Sequence, residues 1–133
     1  MNRGNTRHLA ILINPISGKR KSFMYFSEIL EPMLKLAKLD YHWFVTNSST
    51  FVNDWVNMLD VNTMPYTEFV IIGGDGLFNQ LINAFHNHLD SDTLMKMPIG
   101  IIPGGSTNAI ACDLGGKNPY EACSNIIRGH TSS

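Results

Sequence analysis

Hydrophobic positions along the chain follow two different spacings, and each spacing predicts one kind of element. Nearly continuous apolar runs predict four buried strands, at residues 8–14, 41–45, 68–72 and 98–102. Between the strands, apolar residues recur every three or four positions, which is typical of one face of a helix. This spacing predicts helices at 23–37 with an irregularity at Pro32, at 51–59, at 77–85, in a short stretch ending near Leu114, and from Asn118 onward.

The alternation of strands and helices predicts the fold class. Strands joined by helices form right-handed crossovers, so we expect an α/β fold with a mostly parallel sheet and helices on both faces. The length of 133 residues suits one domain, which we place at 8–130 with flanks at 1–7 and 131–133. The chain ends where a further strand is expected, so it reads as a domain cut at a boundary. We expect Trp43 and Trp55 in the core.

Composition narrows the function classes. Apolar residues make up 44% of the chain, charged residues 16%, and the net charge is −1, which argues against a general nucleic-acid binder. No apolar run reaches transmembrane length, and the amino terminus lacks the apolar core of a signal peptide. We therefore expect a cytoplasmic protein. Cys112 and Cys123 form no metal-binding pattern and are expected to be reduced thiols.

Three loops are predicted to meet at the carboxyl ends of the strands, where open α/β sheets bind ligands. They cover residues 14–22, 73–76 and 103–108, and the second and third are rich in glycine. Glycine lets main-chain N–H groups approach a phosphate closely, with the positive end of a helix dipole behind them. Neither loop matches the P-loop or the dinucleotide-binding pattern.

Asp75 lies between the glycines of the second loop. A carboxylate repels phosphates, so this position favours a divalent cation or a proton to be accepted. Three interpretations stay open at this point: Mg²⁺-nucleotide binding, a general base facing a hydroxyl group, or both. The structural alternative is a tight turn in which Asp75 caps a helix.

Together, the three loops resemble the diacylglycerol kinase catalytic-domain family, which includes sphingosine, ceramide and diacylglycerol kinases. The motifs are INPISGK at 13–19, GGDGL at 73–77 and PGGSTN at 103–108, in the order and spacing of that family. Leu77 and the Ser-Thr-Asn sequence are most similar to the sphingosine and ceramide kinase branch. The resemblance implies the N-terminal, nucleotide-binding lobe of an NAD-kinase-like or diacylglycerol-kinase-like fold.

The same resemblance implies an activity and a set of site residues. A member of this family binds ATP and Mg²⁺ and transfers the γ-phosphoryl group to a lipid hydroxyl, of a sphingoid base, a ceramide or a diacylglycerol. Asp75 would take the hydroxyl proton. The residues implied in cofactor binding are Asn14, Pro15, Ile16, Thr46, Gly73, Gly74, Gly76, Gln80, Gly105, Ser106 and Thr107.

Two departures from the family keep other functions open. Gln80 stands where the family usually has Glu, and the β-rich second lobe of the family is missing from the 133 residues. We therefore expect the isolated chain to be inactive as a kinase. The alternatives are a non-catalytic or truncated nucleotide-binding module and an NAD-kinase-like enzyme. The expected partners are a nucleotide and a lipid, without nucleic acid, while the particular lipid, peripheral membrane contact and the oligomeric state stay open.

Overall fold

Strands and helices alternate along the chain in the predicted order. The computed structural model describes residues 7–16, 21–104 and 119–129. The strands are β1 (His8–Ile13), β2 (Asp40–Val45), β3 (Glu68–Gly73) and β4 (Ile99–Pro103). The helices are α1 (Lys21–Tyr25), α2 (Glu31–Ala37), α3 (Phe51–Asn57), α4 (Asp75–His86), α5 (Ser91–Met95) and α6 (Pro119–Ile127). None of the described helices is both long and apolar enough to cross a membrane. The short helix predicted near Leu114 lies outside the described residues.

The four strands form one parallel sheet in the order β2-β1-β3-β4. Leu9 pairs with Glu68 and Phe69 pairs with Ile99, so β1 and β3 are the central strands. The chain goes from β1 outward to β2, then returns past β1 to β3 and continues to β4. The direction of winding therefore reverses between β1 and β3. The predicted α/β class with a parallel sheet is confirmed.

The core has two halves, one on each face of the sheet. Alternating residues of β1 face opposite sides: Leu9, Ile11 and Ile13 belong to one half, and Ala10 and Leu12 to the other. The first half is closed by residues of α2, of α6 and of the turn before α2, among them Phe26, Leu30, Leu34, Cys123 and Ile126. The second is closed by residues of α3, α4 and α5, among them Val52, Val56, Leu81, Phe85 and Leu94. The result is a three-layer arrangement of helices, sheet and helices.

A π-helical turn at Phe26–Leu30 joins α1 to α2. The N–H of Glu31 donates to the carbonyl of Phe26, five residues earlier. The irregularity predicted at Pro32 therefore lies in the turn before it. Pro32 has no N–H to continue the regular ladder, and it occupies the first turn of α2, where that N–H is not required.

Trp43 and Cys123 test two predictions about the core. The side chain of Trp43 is 42% exposed, so its prediction as a core residue is wrong. Trp43 lies on β2, which is an edge strand, and an edge strand is covered less than a central one. Trp55 is half-buried. Cys123 is a buried free thiol, and burial raises its pKa to about 12, whereas Cys112 lies outside the described residues.

Arg7 ties together the end of the sheet that carries the amino ends of the strands. Its guanidinium forms two hydrogen bonds with the carboxylate of Glu68, at 2.7 and 2.8 Å. It also donates to the main-chain carbonyls of Ile126 and Ile127, both at 2.8 Å. The carboxylate of Glu68, which is buried at the start of β3, is thereby neutralised.

Candidate functional site

The candidate site lies at the carboxyl ends of β1 and β3, where the winding of the sheet reverses. In open parallel sheets a ligand crevice forms at such a point, because the loops that follow the two strands diverge to opposite faces. Here the two loops begin very close to each other. A Cβ added to Gly73 would lie 3.1 Å from the Cβ of Asn14 and 3.2 Å from a methyl carbon of Leu77. Gly73 is therefore required by packing.

Three main-chain hydrogen bonds connect the carboxyl ends of all four strands. They run from Thr46 N–H to Ile13 O (2.8 Å), from Asn14 N–H to Ile72 O (3.0 Å) and from Gly104 N–H to Gly73 O (3.1 Å). We call this row of bonded peptides the site floor. Because each bond joins the residue after one strand to a neighbouring strand, the floor fixes the starting points of the loops relative to one another.

Asn14 shapes the loop that follows β1. Its Oδ1 accepts a hydrogen bond from the N–H of Ile16 at 3.1 Å, which forms an Asx turn across Pro15. The turn directs the chain away from the sheet immediately after the strand ends. Ile16, at the end of this turn, is 71% exposed.

The amino terminus of α4 supplies main-chain donors to the same crevice. Gly74 is the N-cap, and its side of the helix has no side-chain cap, so the first-turn N–H groups have no partner within the helix. The carbonyl of Gly73 points toward β4, where Gly104 donates to it. In a trans peptide the N–H points opposite to the carbonyl, so the N–H of Gly74 points toward β1. These donors and the positive end of the helix dipole favour an anion.

Gly74 and Gly76 are glycines that the protein itself does not require. A Cβ added at either position would meet nothing within 4 Å. The φ of Gly74 is −107°, and neither residue has a positive φ, so an ordinary side chain could adopt both backbone conformations. These two positions thus contrast with Gly73, where packing excludes a side chain.

Asp75 is the first residue of α4, and its side chain is exposed. The alternative interpretation of Asp75 as a helix cap is wrong, because Gly74 occupies the N-cap position. Among the described residues, Asp75 takes part in no ion pair or hydrogen bond of its side chain. The described part of the chain also contains no group of three or more His, Cys, Asp or Glu residues that could hold a metal ion. A cation at Asp75 would therefore need further oxygen ligands from a bound molecule.

Comparison with known families now decides what kind of domain this is. The diacylglycerol kinase catalytic domain matches residues 8–133, which is nearly the whole chain. The chain belongs to the diacylglycerol kinase catalytic-domain family. Its members include lipid kinases, and the family resemblance read from the three loops is confirmed.

Curated relatives of this diacylglycerol kinase-type domain include several sphingosine kinases. Sphingosine kinase B of Dictyostelium discoideum is 34% identical over 131 residues, which are 97% of this chain and 17% of that protein. Sphingoid long-chain bases kinase 1 of Arabidopsis thaliana is 28% identical over 122 residues, 91% of this chain and 16% of that protein. Sphingosine kinase 1 of Homo sapiens is 27% identical over 115 residues, 86% of this chain and 29% of that protein. The chain spans less than a third of each of these relatives.

Solved structures of the same type share the fold. A crystal structure of a diacylglycerol kinase from Bacillus anthracis str. Sterne superposes with a TM-score of 0.67 at 22% sequence identity. The superposition covers 97% of this chain and 44% of that one. The α/β architecture described above is therefore that of a diacylglycerol kinase-type N-terminal lobe.

Most of the residues implied in cofactor binding meet at the crevice of this kinase-type domain. The residues at its edge are Asn14, Pro15, Ile16, Thr46, Gly73, Gly74 and Gly76. Gln80 is exposed on α4, five residues after Asp75, and so lies about 7.5 Å further along the helix axis. It is the member of the set set back furthest along that helix. The implied residues of the third loop, Gly105, Ser106 and Thr107, lie outside the described residues.

Gly104 is a site residue that sequence reasoning missed. It is buried, and its N–H holds the carbonyl of Gly73, which fixes the orientation of the peptide between Gly73 and Gly74. The signal in the sequence was its place directly after β4. Pro103 pairs in register with Gly73, so the next residue lies beside the start of the second loop.

Proposed function

We propose that this chain is the nucleotide-binding lobe of an ATP-dependent lipid kinase, which transfers the γ-phosphoryl group of ATP to a lipid hydroxyl. Family membership supports a kinase at the coarse level. The observation that carries the nucleotide assignment is the pair Gly74 and Gly76 on either side of Asp75, at the amino terminus of α4. Neither glycine is explained by packing or by backbone strain.

A phosphate group explains the two glycines. A side chain at either position would occupy open space in front of the first-turn N–H groups, where an anion would otherwise approach. The phosphates of ATP are anions of this kind, and the dipole of the 12-residue helix α4 favours them. On the flanks of the crevice, the Asx turn of Asn14 to Ile16 and the side chain of Thr46 would contact the rest of the nucleotide. Gly105, Ser106 and Thr107 would contact it from the third loop.

Asp75 fits both roles left open by the sequence. Mg²⁺ is often held by one or two carboxylates together with phosphate oxygens and water, so a single exposed Asp beside bound phosphates suits it. When bound, the ion would neutralise negative charge on the phosphates. The carboxylate of Asp75 would also accept the proton of the attacking hydroxyl group, which makes Asp75 the general base.

The acceptor proposed here is a lipid alcohol. The sphingosine and sphingoid-base kinases among the relatives support a sphingoid base, and the family as a whole includes kinases for diacylglycerol. A ceramide is the third candidate. All three present a hydroxyl group close to a long apolar chain, so the same phosphoryl transfer applies to each.

Calorimetric titration with Mg²⁺-ATP tests the nucleotide assignment. The chain should bind, and Gly76→Ala should weaken binding at least about tenfold, because the new methyl group blocks the approach of the phosphates. The same variant should unfold at an equal or higher temperature, since Ala is favoured over Gly in a helix by about 0.5–1 kcal/mol. Full affinity in Gly76→Ala, or no heat from the unaltered chain at millimolar nucleotide, would contradict the assignment.

Asp75→Asn tests the role of the carboxylate in the same titration. The Mg²⁺ dependence of ATP binding should be lost, because Asn supplies no negative charge to the ion. Asp92→Asn is the matched control, since Asp92 is also an exposed aspartate in the first turn of a helix, α5, but it lies outside the crevice. Equal effects of the two substitutions would remove Asp75 from the site.

A non-catalytic nucleotide-binding module is the second candidate, and Gln80 is the observation that favours it. A protein containing this domain together with the remaining length of its relatives should phosphorylate sphingosine if the kinase proposal holds. Nucleotide binding without turnover, with turnover gained in Gln80→Glu, would favour the module. Phosphorylation of NAD in place of a lipid would favour the NAD-kinase-like alternative.

A further inference from the structure

The outer edge of β2 has no strand partner within the described part of the chain. Thr46 N–H donates inward to β1 at 2.8 Å. Since successive residues of a strand point their N–H and C=O groups to opposite sides, Tyr41, Trp43 and Val45 present theirs to the outside. This edge offers a row of donors and acceptors to another strand.

Devices that usually protect an edge strand are absent from β2. It contains no Pro and no Lys, and its one charged residue, Asp40, stands at its first position. Its register with β1 runs without a bulge from Asp40 to Val45. Trp43 is 42% exposed in the middle of the strand. Exposed edges of this flat, apolar kind invite pairing.

A groove follows this edge. It has a volume of about 540 Å³ and is lined by Glu31, Tyr41, His42, Trp43, Phe44 and Tyr66. Four of the lining residues are consecutive in β2, so the groove runs along the strand and opens to both faces of the sheet. On one face Trp43 packs against Phe23, with ring centroids 5.5 Å apart, and Phe23 is itself 40% exposed.

We propose that this groove is filled by the β2 strand of a second copy of the chain, paired antiparallel about a two-fold axis at Trp43. In that register Trp43 lies opposite Trp43, and Tyr41 lies opposite Val45 on the same face. On the other face His42 lies opposite Phe44. The outward-pointing residues of each copy then face each other, as the hydrogen-bonded pairs of an antiparallel ladder require.

Side-chain chemistry favours a second copy as the occupant. Self-pairing produces aromatic–aromatic and aromatic–β-branched pairs, which are the stabilising classes across antiparallel strands. The charged residue of the strand, Asp40, would lie opposite the neutral Thr46, so no like charges oppose each other. An isologous two-fold contact is also the commonest form of oligomer. Pairing would join two four-stranded sheets into one and cover Trp43 and Phe23.

Sedimentation analysis with two charge variants tests the proposal and its register. The unaltered chain should show a monomer–dimer equilibrium as its concentration rises. Trp43→Lys and Trp43→Glu should each be monomeric, because like charges would meet at the two-fold axis. An equimolar mixture of the two variants should form a heterodimer, in which Lys faces Glu. Tyr120→Lys is the control, since Tyr120 is an aromatic residue of α6 that is 63% exposed, and it should dimerise as the unaltered chain does.

NMR of the unaltered chain gives a readout that does not depend on the folding of any variant. On dilution, amide resonances should shift at Tyr41, Trp43 and Val45 and stay constant on α6. A chain that is monomeric up to about 1 mM, a dimer that survives both Trp43 substitutions, or dilution shifts confined to another surface would each overturn the proposal. If the chain is monomeric and an extended peptide shifts the same resonances, the edge binds a foreign strand instead. The proposal is independent of the nucleotide assignment.

Discussion

The guanidinium of Arg7 joins three segments that are far apart in the sequence: the start of β1, the start of β3 and the end of α6. Replacing Arg7 by Met keeps the apolar stem and removes all four hydrogen bonds. The carboxylate of Glu68 would then be buried without its partner. Because Arg7 is about a quarter exposed, we expect the free energy of unfolding to fall by about 2–3 kcal/mol, less than for a fully buried pair.

Urea denaturation measures this loss, and Arg128→Met is its control. Arg128 is an exposed arginine that directly follows α6, so its replacement should change the stability by less than about 0.5 kcal/mol. The double variant Arg7→Met with Glu68→Gln should recover part of the loss, since the buried group is then neutral. Equal stability of the two single variants would mean that the ion pair contributes nothing.

His8 makes the stability of the fold depend on pH. Its Nε2 is buried and has no hydrogen-bond partner among the described residues, and its ring lies edge-on to His42 and Tyr66. Burial lowers the pKa of His8 below its ordinary value of 6.5, His42 lowers it further, and Asp40 partly opposes the shift. The unfolded chain therefore binds the proton more readily than the folded chain. Stability should be full above about pH 7 and should fall as the pH drops through about 6.5.

Thermal unfolding between about pH 7.5 and pH 5.5 checks this dependence. His8→Phe keeps an aromatic ring against His42 and Tyr66 but cannot be protonated, so the slope of the melting temperature against pH should flatten. His86→Phe is the control, because His86 is exposed at the end of α4, and it should keep the slope. An unchanged slope in His8→Phe would assign the dependence to other groups.

Lys38 ends helix α2 in a conformation that suits glycine better. Its φ is +58°, in the left-handed region, and the N–H of the next residue, Leu39, donates to the carbonyl of Leu34 at 3.1 Å. This is the bonding pattern of a Schellman C-cap. A side chain in the left-handed region costs about 1 kcal/mol, so Lys38→Gly should stabilise the chain by roughly that amount. The shift in melting temperature measures it.

Lys35→Gly is the matched comparison for Lys38→Gly. Lys35 is an exposed lysine of the same helix, three residues earlier and with an ordinary helical conformation. Glycine there should destabilise the chain by about 1 kcal/mol. Opposite signs for two Lys-to-Gly changes within one turn would establish that backbone conformation, and not the lost side chain, governs both.

Elements were predictable wherever local pattern determines them. The apolar runs of β1 and β3 predicted buried strands, and both are central in the sheet. The same reasoning was wrong for Trp43, because whether a strand lies at the centre or the edge depends on pairings between distant segments. The π turn at Phe26–Leu30 was displaced from the prediction at Pro32 for a similar reason: it depends on how the helix packs on the sheet.

On the scale of the whole molecule, this domain should bind a nucleotide without completing a kinase reaction. The acceptor hydroxyl must be held in line with the γ-phosphate, and the relatives named above are at least three times as long as the matched segment. We expect no phosphorylation of sphingosine, ceramide or diacylglycerol by the purified chain under conditions in which it binds ATP. Robust lipid phosphorylation in a radiolabelled ATP assay would contradict this prediction.

In a longer active protein, Asp75→Asn should reduce kcat by at least about 100-fold, since general-base catalysis typically contributes 10²–10⁴. The fold should survive, because Asp75 is exposed and its side chain caps no helix. Melting temperature is the control for folding. A variant that keeps more than about a tenth of the unaltered rate would require another general base.

The candidate site was predictable in its residues but not in its construction. The two glycine-rich loops and Asp75 were visible in the sequence because phosphate binding needs those residue types next to each other. The sequence did not distinguish Gly73, which packing requires, from Gly74 and Gly76, which it does not. Nor did it reveal Gly104, because a main-chain hydrogen bond between two loops leaves no mark on side-chain identity.

The site floor has a consequence for how the domain fluctuates. The amides of Asn14, Thr46 and Gly104 bond directly across the strands, so their hydrogens should exchange with solvent only when the sheet itself opens. The amide of Gly74 has no such bond and should exchange rapidly in the free chain. A bound nucleotide would slow exchange at Gly74 while leaving the other three almost unchanged. The domain would thus present a mobile set of donors on a rigid base, and ligand binding would quench motion at the surface of the crevice without stiffening the sheet beneath it.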